Sequence, residues 1–178
     1  MSTLKIVMGK SLAGKTYYVD HEKRHKLITC TTRPKRPYEH NNQDYYFRST
    51  AQYAEDALKN NALAIRSYKV ANGQIWYYYI SKEKLLDQLK KYNELYSILD
   101  LKGYLELRRQ LEDESINVEG IYLDTPLRIR LERYLNTERK QDNEKEFVRR
   151  LYDDEFNAFN QIDNPEFCKE NEIKIINE

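Results

Sequence analysis

The chain has 178 residues, with 30 Lys plus Arg against 29 Asp plus Glu and a formal net charge of +1. That length suits one domain whose core needs neither disulfide nor structural metal, and the balanced charge excludes a global field for nucleic acid. Two widely separated cysteines, Cys30 and Cys168, fit neither a disulfide framework nor a zinc site, and no apolar run approaches the ~20 residues of a membrane span.

Leu4-Lys5-Ile6-Val7-Met8 is a short apolar run ahead of a glycine and reads as a buried strand. It feeds Gly9-Lys10-Ser11-Leu12-Ala13-Gly14-Lys15-Thr16, which matches the phosphate-cradling pattern G-x-x-x-x-G-K-[ST] at every fixed position. Its two glycines let successive backbone N–H groups turn toward one anion. Lys15 adds a point charge for the β- and γ-phosphates, and the Thr16 hydroxyl can hold Mg²⁺. A short helix over 16–23 completes a strand–loop–helix context for ATP. The alternative is a chance match in a surface turn.

Residues 27–32 form a β-prone segment that runs into Arg33-Pro34-Lys35-Arg36-Pro37. The prolines exclude a helix, so three cations sit on extended backbone as an anion trap or as a plain solvated turn. A polar turn then leads into Tyr45-Tyr46-Phe47. Ser49 and Gln52 fit a capping box for a helix ending near Asn60. Strands over 63–70 and 75–80 flank an Asn72-Gly73 hairpin signal. Ser81 caps a helix over 82–92 with an apolar stripe at Leu85, Leu86, Leu89 and Tyr92.

Residues 95–100 are the next buried strand. Asp100 closes it at the C-terminal end, where ligands bind in open α/β sheets, although a helix cap is the other reading. A helix over 101–111 and a strand over 118–123 follow. Thr125 is expected to cap a helix with Pro126 in its first turn, burying Leu127, Leu131, Tyr134 and Leu135. Residues 136–146 are polar and without apolar periodicity. A helix over 147–159 and a strand over 172–177 complete an α/β pattern.

Thr31-Thr32-Arg33-Pro34-Lys35-Arg36-Pro37-Tyr38-Glu39, followed by Asp44-Tyr45-Tyr46-Phe47, resembles the guanylate kinase segment T-T-R-x-x-R-x-x-E…D-Y-x-F. With the phosphate loop it makes two motifs in the family's order. The resemblance implies a P-loop NTPase-type doubly wound parallel sheet with a small mixed α/β acceptor-binding insert and a lid. It implies a single domain over 1–178, with the core at 1–32 and 82–178, the insert at about 33–81 and the lid at about 134–147. It implies transfer of the γ-phosphoryl of ATP to a nucleoside monophosphate, GMP or dGMP in kind. Arg33, Arg36 and Tyr45 then hold the acceptor phosphate, Thr29 touches the base, and Tyr77 is the second phosphate-binding tyrosine. Asp100 matches the first aspartate of the family's I-L-D-I-D, near Mg²⁺ and the acceptor. Arg130 and Arg133 precede the lid and Arg150 follows it, as catalytic arginines beside Lys15; surface ion pairs are the other reading for most arginines here.

Departures from the family are equally plain. Guanine-specific members carry an acidic residue on the first insert strand, where this chain has Ile65-Arg66-Ser67, and Lys102 replaces the second aspartate. Trp76-Tyr77-Tyr78-Tyr79 stands in place of the family's Y-G-[ST], so these rings are site groups or strand packing. The chain ends where relatives continue into a final helix, which implies a minimal version of the fold. A kinase for a different (deoxy)nucleotide or a phosphorylated small molecule is therefore the alternative, with a non-catalytic phosphopeptide-binding module second. Reduced thiols, a cytoplasmic location, a monomer or homodimer, and no nucleic-acid or membrane partner complete the expectation.

Overall fold

The computed structural model describes residues 2–21, 24–69, 73–136 and 144–177. β1 (Ser2–Met8) leads through the glycine loop into α1 (Lys15–Asp20). β2 (Cys30–Thr31) and β3 (Tyr46–Phe47) are two-residue strands, followed by α2 (Thr50–Leu58), β4 (Ala62–Lys69), β5 (Ile75–Ser81) and α3 (Lys82–Lys91). Next come β6 (Glu94–Ile98), α4 (Leu101–Gln110), β7 (Ile116–Asp124) and α5 (Leu127–Leu135). α6 (Glu144–Asp153) runs into a π-helical turn over Asp154–Ala158, and α7 (Pro165–Glu170) and β8 (Ile173–Asn177) finish the fold.

Two four-stranded sheets carry these elements. The first is parallel, in the order β6-β1-β7-β8. Parallel strands are covered on both faces, which is why β1 reads as a continuous apolar run and buries Leu4, Ile6, Val7 and Met8 completely. Leu85 of α3, with Tyr104 and Leu107 of α4, packs on these strands in one cluster. The second sheet is mixed, in the order β3-β2-β5-β4. The chain enters it from the first: Lys26 makes one parallel rung with Tyr96 of β6, and Cys30–Thr31 then pair with β5. The expected single strand over 27–32 is thus split between two sheets.

Several sequence signals work as local physics predicts. Ser49 and Gln52 form the reciprocal capping box of α2, and the Ser81 side chain accepts the Lys84 N–H at the start of α3. Asp100 likewise accepts the Gly103 N–H and caps α4. At β7–α5 the expectation fails. Pro126 is the cap residue, and the buried Thr125 hydroxyl donates instead to the Ala13 carbonyl of the glycine loop.

The apolar stripe of α5 fails too: Leu127, Leu131 and Leu135 are 45%, 38% and 79% exposed, while Arg130 is 1% exposed. The reason lies in what α5 rests on. A loop whose amides face a ligand turns its carbonyls the other way, and those need donors rather than leucines. α7 was not anticipated. Its signal is Asn164-Pro165, where the Asn164 side chain accepts two amides and Pro165 opens the helix. The expected lid falls partly on α5 and α6, and its centre, 137–143, lies outside the described residues.

Candidate active site

The C-terminal ends of β1, β6 and β7 deliver Gly9, Asp100 and Thr125 to one side of the parallel sheet, the usual ligand side of such folds. A Cβ at Gly9 would stand 2.9 Å from the Leu123 carbonyl oxygen, so the loop can leave this close to β7 only through glycine. Leu12 (φ 65°) and Gly14 (φ 86°) adopt left-handed backbone, and the Ala13 N–H closes the turn on the Lys10 carbonyl. Lys15 Nζ donates to the carbonyls of Gly9 (2.6 Å) and Lys10 (2.9 Å). Burial of its ammonium, with the Arg130 charge adding and Asp154 opposing, pushes the Lys15 pKa down to about 8.

The loop already holds an anion. Ser11 N–H donates to Asp154 Oδ2 at 2.6 Å, and Lys10 Nζ reaches Glu155 Oε2 at 2.5 Å. Both carboxylates come from the π-helical turn, which widens the helix end beside the loop. Asp154 thus places a carboxylate oxygen on an amide that the loop pattern would offer to a phosphate.

Two of the expected catalytic arginines brace this loop. Arg130 Nε donates to the Thr125 carbonyl (3.1 Å), Nη1 to the Ser11 carbonyl (3.5 Å), and Nη2 pairs with Glu155. Arg133 Nη1 donates to the Leu12 carbonyl at 2.9 Å. Arg130, expected to face the transferring phosphoryl group, is buried beneath the cradle instead. Arg150 is half-buried on α6, and Thr16 is exposed in the first turn of α1.

A cavity of about 680 Å³ runs from Gly9, Ser11 and Lys15 to Thr29, Tyr45, Arg66 and Asp100. The arginine loop of the second motif stands behind this wall, reaching it through Tyr45. Arg33 is buried and forks onto Glu39, with Nη1 to Oε2 at 3.0 Å and Nη2 to Oε1 at 2.6 Å. Glu39 also accepts the Arg36 backbone N–H at 2.8 Å, so one carboxylate fixes both arginine positions. The Arg36 side chain is exposed and donates to the Tyr38 hydroxyl, while Tyr45 lies 5.6 Å under the Arg33 guanidinium.

The Arg33 fork outweighs burial and holds the Glu39 carboxyl down at about 2, against an ordinary 4.5. A depressed carboxyl contributes stability that is present above its unfolded pKa and lost as pH falls through its folded one. Glu39→Gln is therefore expected to cost about 1–3 kcal/mol at pH 7 in urea denaturation. That gap should narrow between pH 4.5 and 2; one that stays constant to pH 2 contradicts the pairing.

Tyr77 is not at this wall. Side chains alternate along a strand, and the Tyr77 ring stacks on Tyr53 of α2 at 4.0 Å, on the far face of β5. Tyr78 faces the cavity, 6.1 Å edge-on from Tyr45. Tyr77, expected as the second tyrosine, thus faces away from the cavity and its neighbour Tyr78 faces it, because one residue's step along a strand reverses the face. Thr29 and Asp100 both line the cavity. Burial would raise the Asp100 carboxyl, but the Arg66 fork and the Gly103 N–H hold it below its ordinary value.

The sequence alone does not assign Tyr78, Arg66 or Asp154 to the site, and gives Glu39 only as a motif position. Alternation along β5 was the one available signal for Tyr78. None pointed to Asp154, since only the π-helical turn brings it to the loop.

The sequence profile of the guanylate kinase family matches residues 2–168. Guanylate kinase of Caulobacter vibrioides is 30% identical over 162 residues, spanning 88% of this chain and 70% of that protein. Guanylate kinase of Chlamydia muridarum is 29% identical over 125 residues, with 70% of this chain and 55% of that protein covered. The crystal structure of guanylate kinase from Anaplasma phagocytophilum superposes with a TM-score of 0.57 at 16% identity, covering 99% of this chain and 77% of that one. That likeness shows a P-loop NTPase fold, and the profile match, which spans both the loop and the arginine segment, shows the family: the chain belongs to the guanylate kinase family.

Proposed function

We propose that this protein transfers the γ-phosphoryl group of ATP to GMP, giving ADP and GDP, as a nucleoside monophosphate kinase. One observation carries the reading: the phosphate loop lines the same cavity as Tyr45 and Tyr78, with the Arg33 guanidinium over the Tyr45 ring, in a chain of this family. Amides of 9–16 and Lys15 hold the β- and γ-phosphates once Asp154 has moved aside. Arg33 and Arg36, with the hydroxyls of Tyr45 and Tyr78, hold the acceptor phosphate in line. Arg150 neutralises charge on the transferring group, and Arg133 serves from the loop's outer side. No general base is needed, because positioning and electrostatics carry this chemistry.

Mg²⁺ brought in with the nucleotide would supply positive charge against the phosphates. Thr16 fits it, as a hard oxygen donor directly after Lys15. Asp100 fits it poorly, since both its oxygens face the Arg66 guanidinium. The protein works in the cytoplasm as a monomer or homodimer. Both cysteines are buried free thiols, and among the described residues no helix is long and apolar enough to cross a membrane.

Arg66, where the family's guanine-specific members have an acid, keeps a second acceptor in play. Coupled assays of ADP formation with GMP, dGMP, AMP, CMP, UMP and dTMP decide it. GMP is expected to give the highest kcat/KM. A higher value with another monophosphate supports the second reading, and no acceptor-dependent turnover at all removes kinase activity.

A further inference from the structure

The π-helical turn after α6 lays two carboxylates on the phosphate loop, and the groups they hold are ones a triphosphate would need. Asp154 Oδ2 accepts the Ser11 N–H at 2.6 Å, and Glu155 pairs with Lys10 through Oε2 and with Arg130 through Oε1. In a loop of this pattern the backbone N–H groups serve phosphate oxygens. An N–H that already donates to a carboxylate oxygen at 2.6 Å has no room for a second anion. Lys15 is folded onto its own loop as well, on the carbonyls of Gly9 and Lys10.

The turn is anchored at both ends and open along its outer side. Phe147, early in α6, stacks on Tyr134 of α5 at 3.6 Å. Phe159, directly after the turn, is buried against Tyr122. Between these anchors Tyr152 and Phe156 are exposed, so the outer side faces solvent. A single π turn interrupts α geometry, and rewinding it swings Asp154 and Glu155 about the helix axis while Phe159 stays in the core.

We infer that Asp154 and Glu155 are a built-in competitor for the triphosphate of ATP: the turn supplies the loop's counter-charge in the resting protein, and ATP binds by taking the Ser11 N–H and Lys10 from it. The inference rests on ATP binding at this loop, as in the proposed kinase reading. ATP affinity is thereby set below what the loop alone would give. Arg150 lies one helical turn before Asp154, so withdrawal of the turn also shifts the arginine assigned to the transferring group.

Calorimetric dissociation constants for ATP with Mg²⁺ and no acceptor test it, beside melting temperatures taken without nucleotide. Asp154→Ala should tighten ATP about tenfold, since a charge-assisted hydrogen bond no longer has to be given up. Its melting temperature should fall by about 2–4 °C, because the loop loses a counter-charge. Affinity and stability then move in opposite directions. Asp153→Ala is the control: Asp153 lines the same cavity but accepts Asn157 Nδ2 instead of a loop group. It should alter ATP affinity by less than about threefold, as an exposed and screened charge. Asp154→Asn, which keeps the shape and a weaker acceptor, should fall between and stands in if Asp154→Ala fails to fold. Equal tightening by both alanine variants would mean that any nearby negative charge repels the triphosphate. Unchanged or weaker ATP binding by Asp154→Ala would mean that the contact is structural only, and either result overturns the inference. Tighter ATP binding without acceptor-dependent ADP formation would sink the kinase reading and keep this one. Turnover of GMP with ATP affinity untouched in the Asp154 variants would do the reverse.

Discussion

Lys15→Ala is expected to lower kcat by about 10²–10³-fold, the usual loss when one preorganised charge is removed from a phosphoryl-transfer or oxyanion site. In free energy that is about 3–4 kcal/mol of transition-state stabilisation. Stability should not fall with it. The Lys15 ammonium is desolvated, and its two acceptors are carbonyls of its own loop. Its folded pKa of about 8 lies below the ordinary 10.5, so the charged form costs stability at neutral pH. That cost fades as pH rises from about 8 to 10.5, where the unfolded chain still holds the proton and the folded one has released it. Alanine removes the cost and the pH dependence together. ATP affinity of the unaltered protein should weaken above about pH 8, as the loop loses its cation. Steady-state kinetics beside thermal melts at pH 7 and 9 check all three; an active, destabilised variant contradicts the role.

Arg130→Ala is expected to behave in the opposite way. This side chain is buried beneath the loop and serves the Thr125 and Ser11 carbonyls and Glu155 at once. Truncation leaves two inward carbonyls and a carboxylate short of donors and opens a cavity, at a cost of about 3 kcal/mol. For a chain of this length that is a fall of about 6–12 °C in melting temperature. The loop should loosen, so KM for ATP should rise. Arg130→Lys should rescue only part of this, since one ammonium cannot span the three acceptors. An arginine acting on the transferring group from a lid would give lower kcat at unchanged melting temperature, and that result would refute the structural assignment.

The loop was legible because its requirements are local: glycines where the backbone turns left-handed, a lysine at fixed spacing, and an apolar strand before it. Helix starts at Ser49 and Ser81 were legible for the same reason. What stayed hidden depended on distant partners. The α5 stripe looked like a core face because leucines at helical spacing ordinarily are one. Here the inward face meets the carbonyl side of a phosphate loop, and arginines take it. Along β5 an aromatic run from Trp76 to Tyr79 masks alternation, so the facing residue is set only by pairing with β4, whose register is irregular between Leu63 and Arg66. Asp100 carries both readings the sequence allowed, since it caps α4 and lines the cavity.

The most direct test follows the phosphorus. ATP labelled on the γ-phosphate, incubated with the protein, Mg²⁺ and GMP, should yield label in GDP at the rate ADP appears. Arg33→Ala should abolish that transfer. Label released only as inorganic phosphate, at a rate indifferent to GMP, would mean that the loop hydrolyses ATP and the arginine wall serves something else.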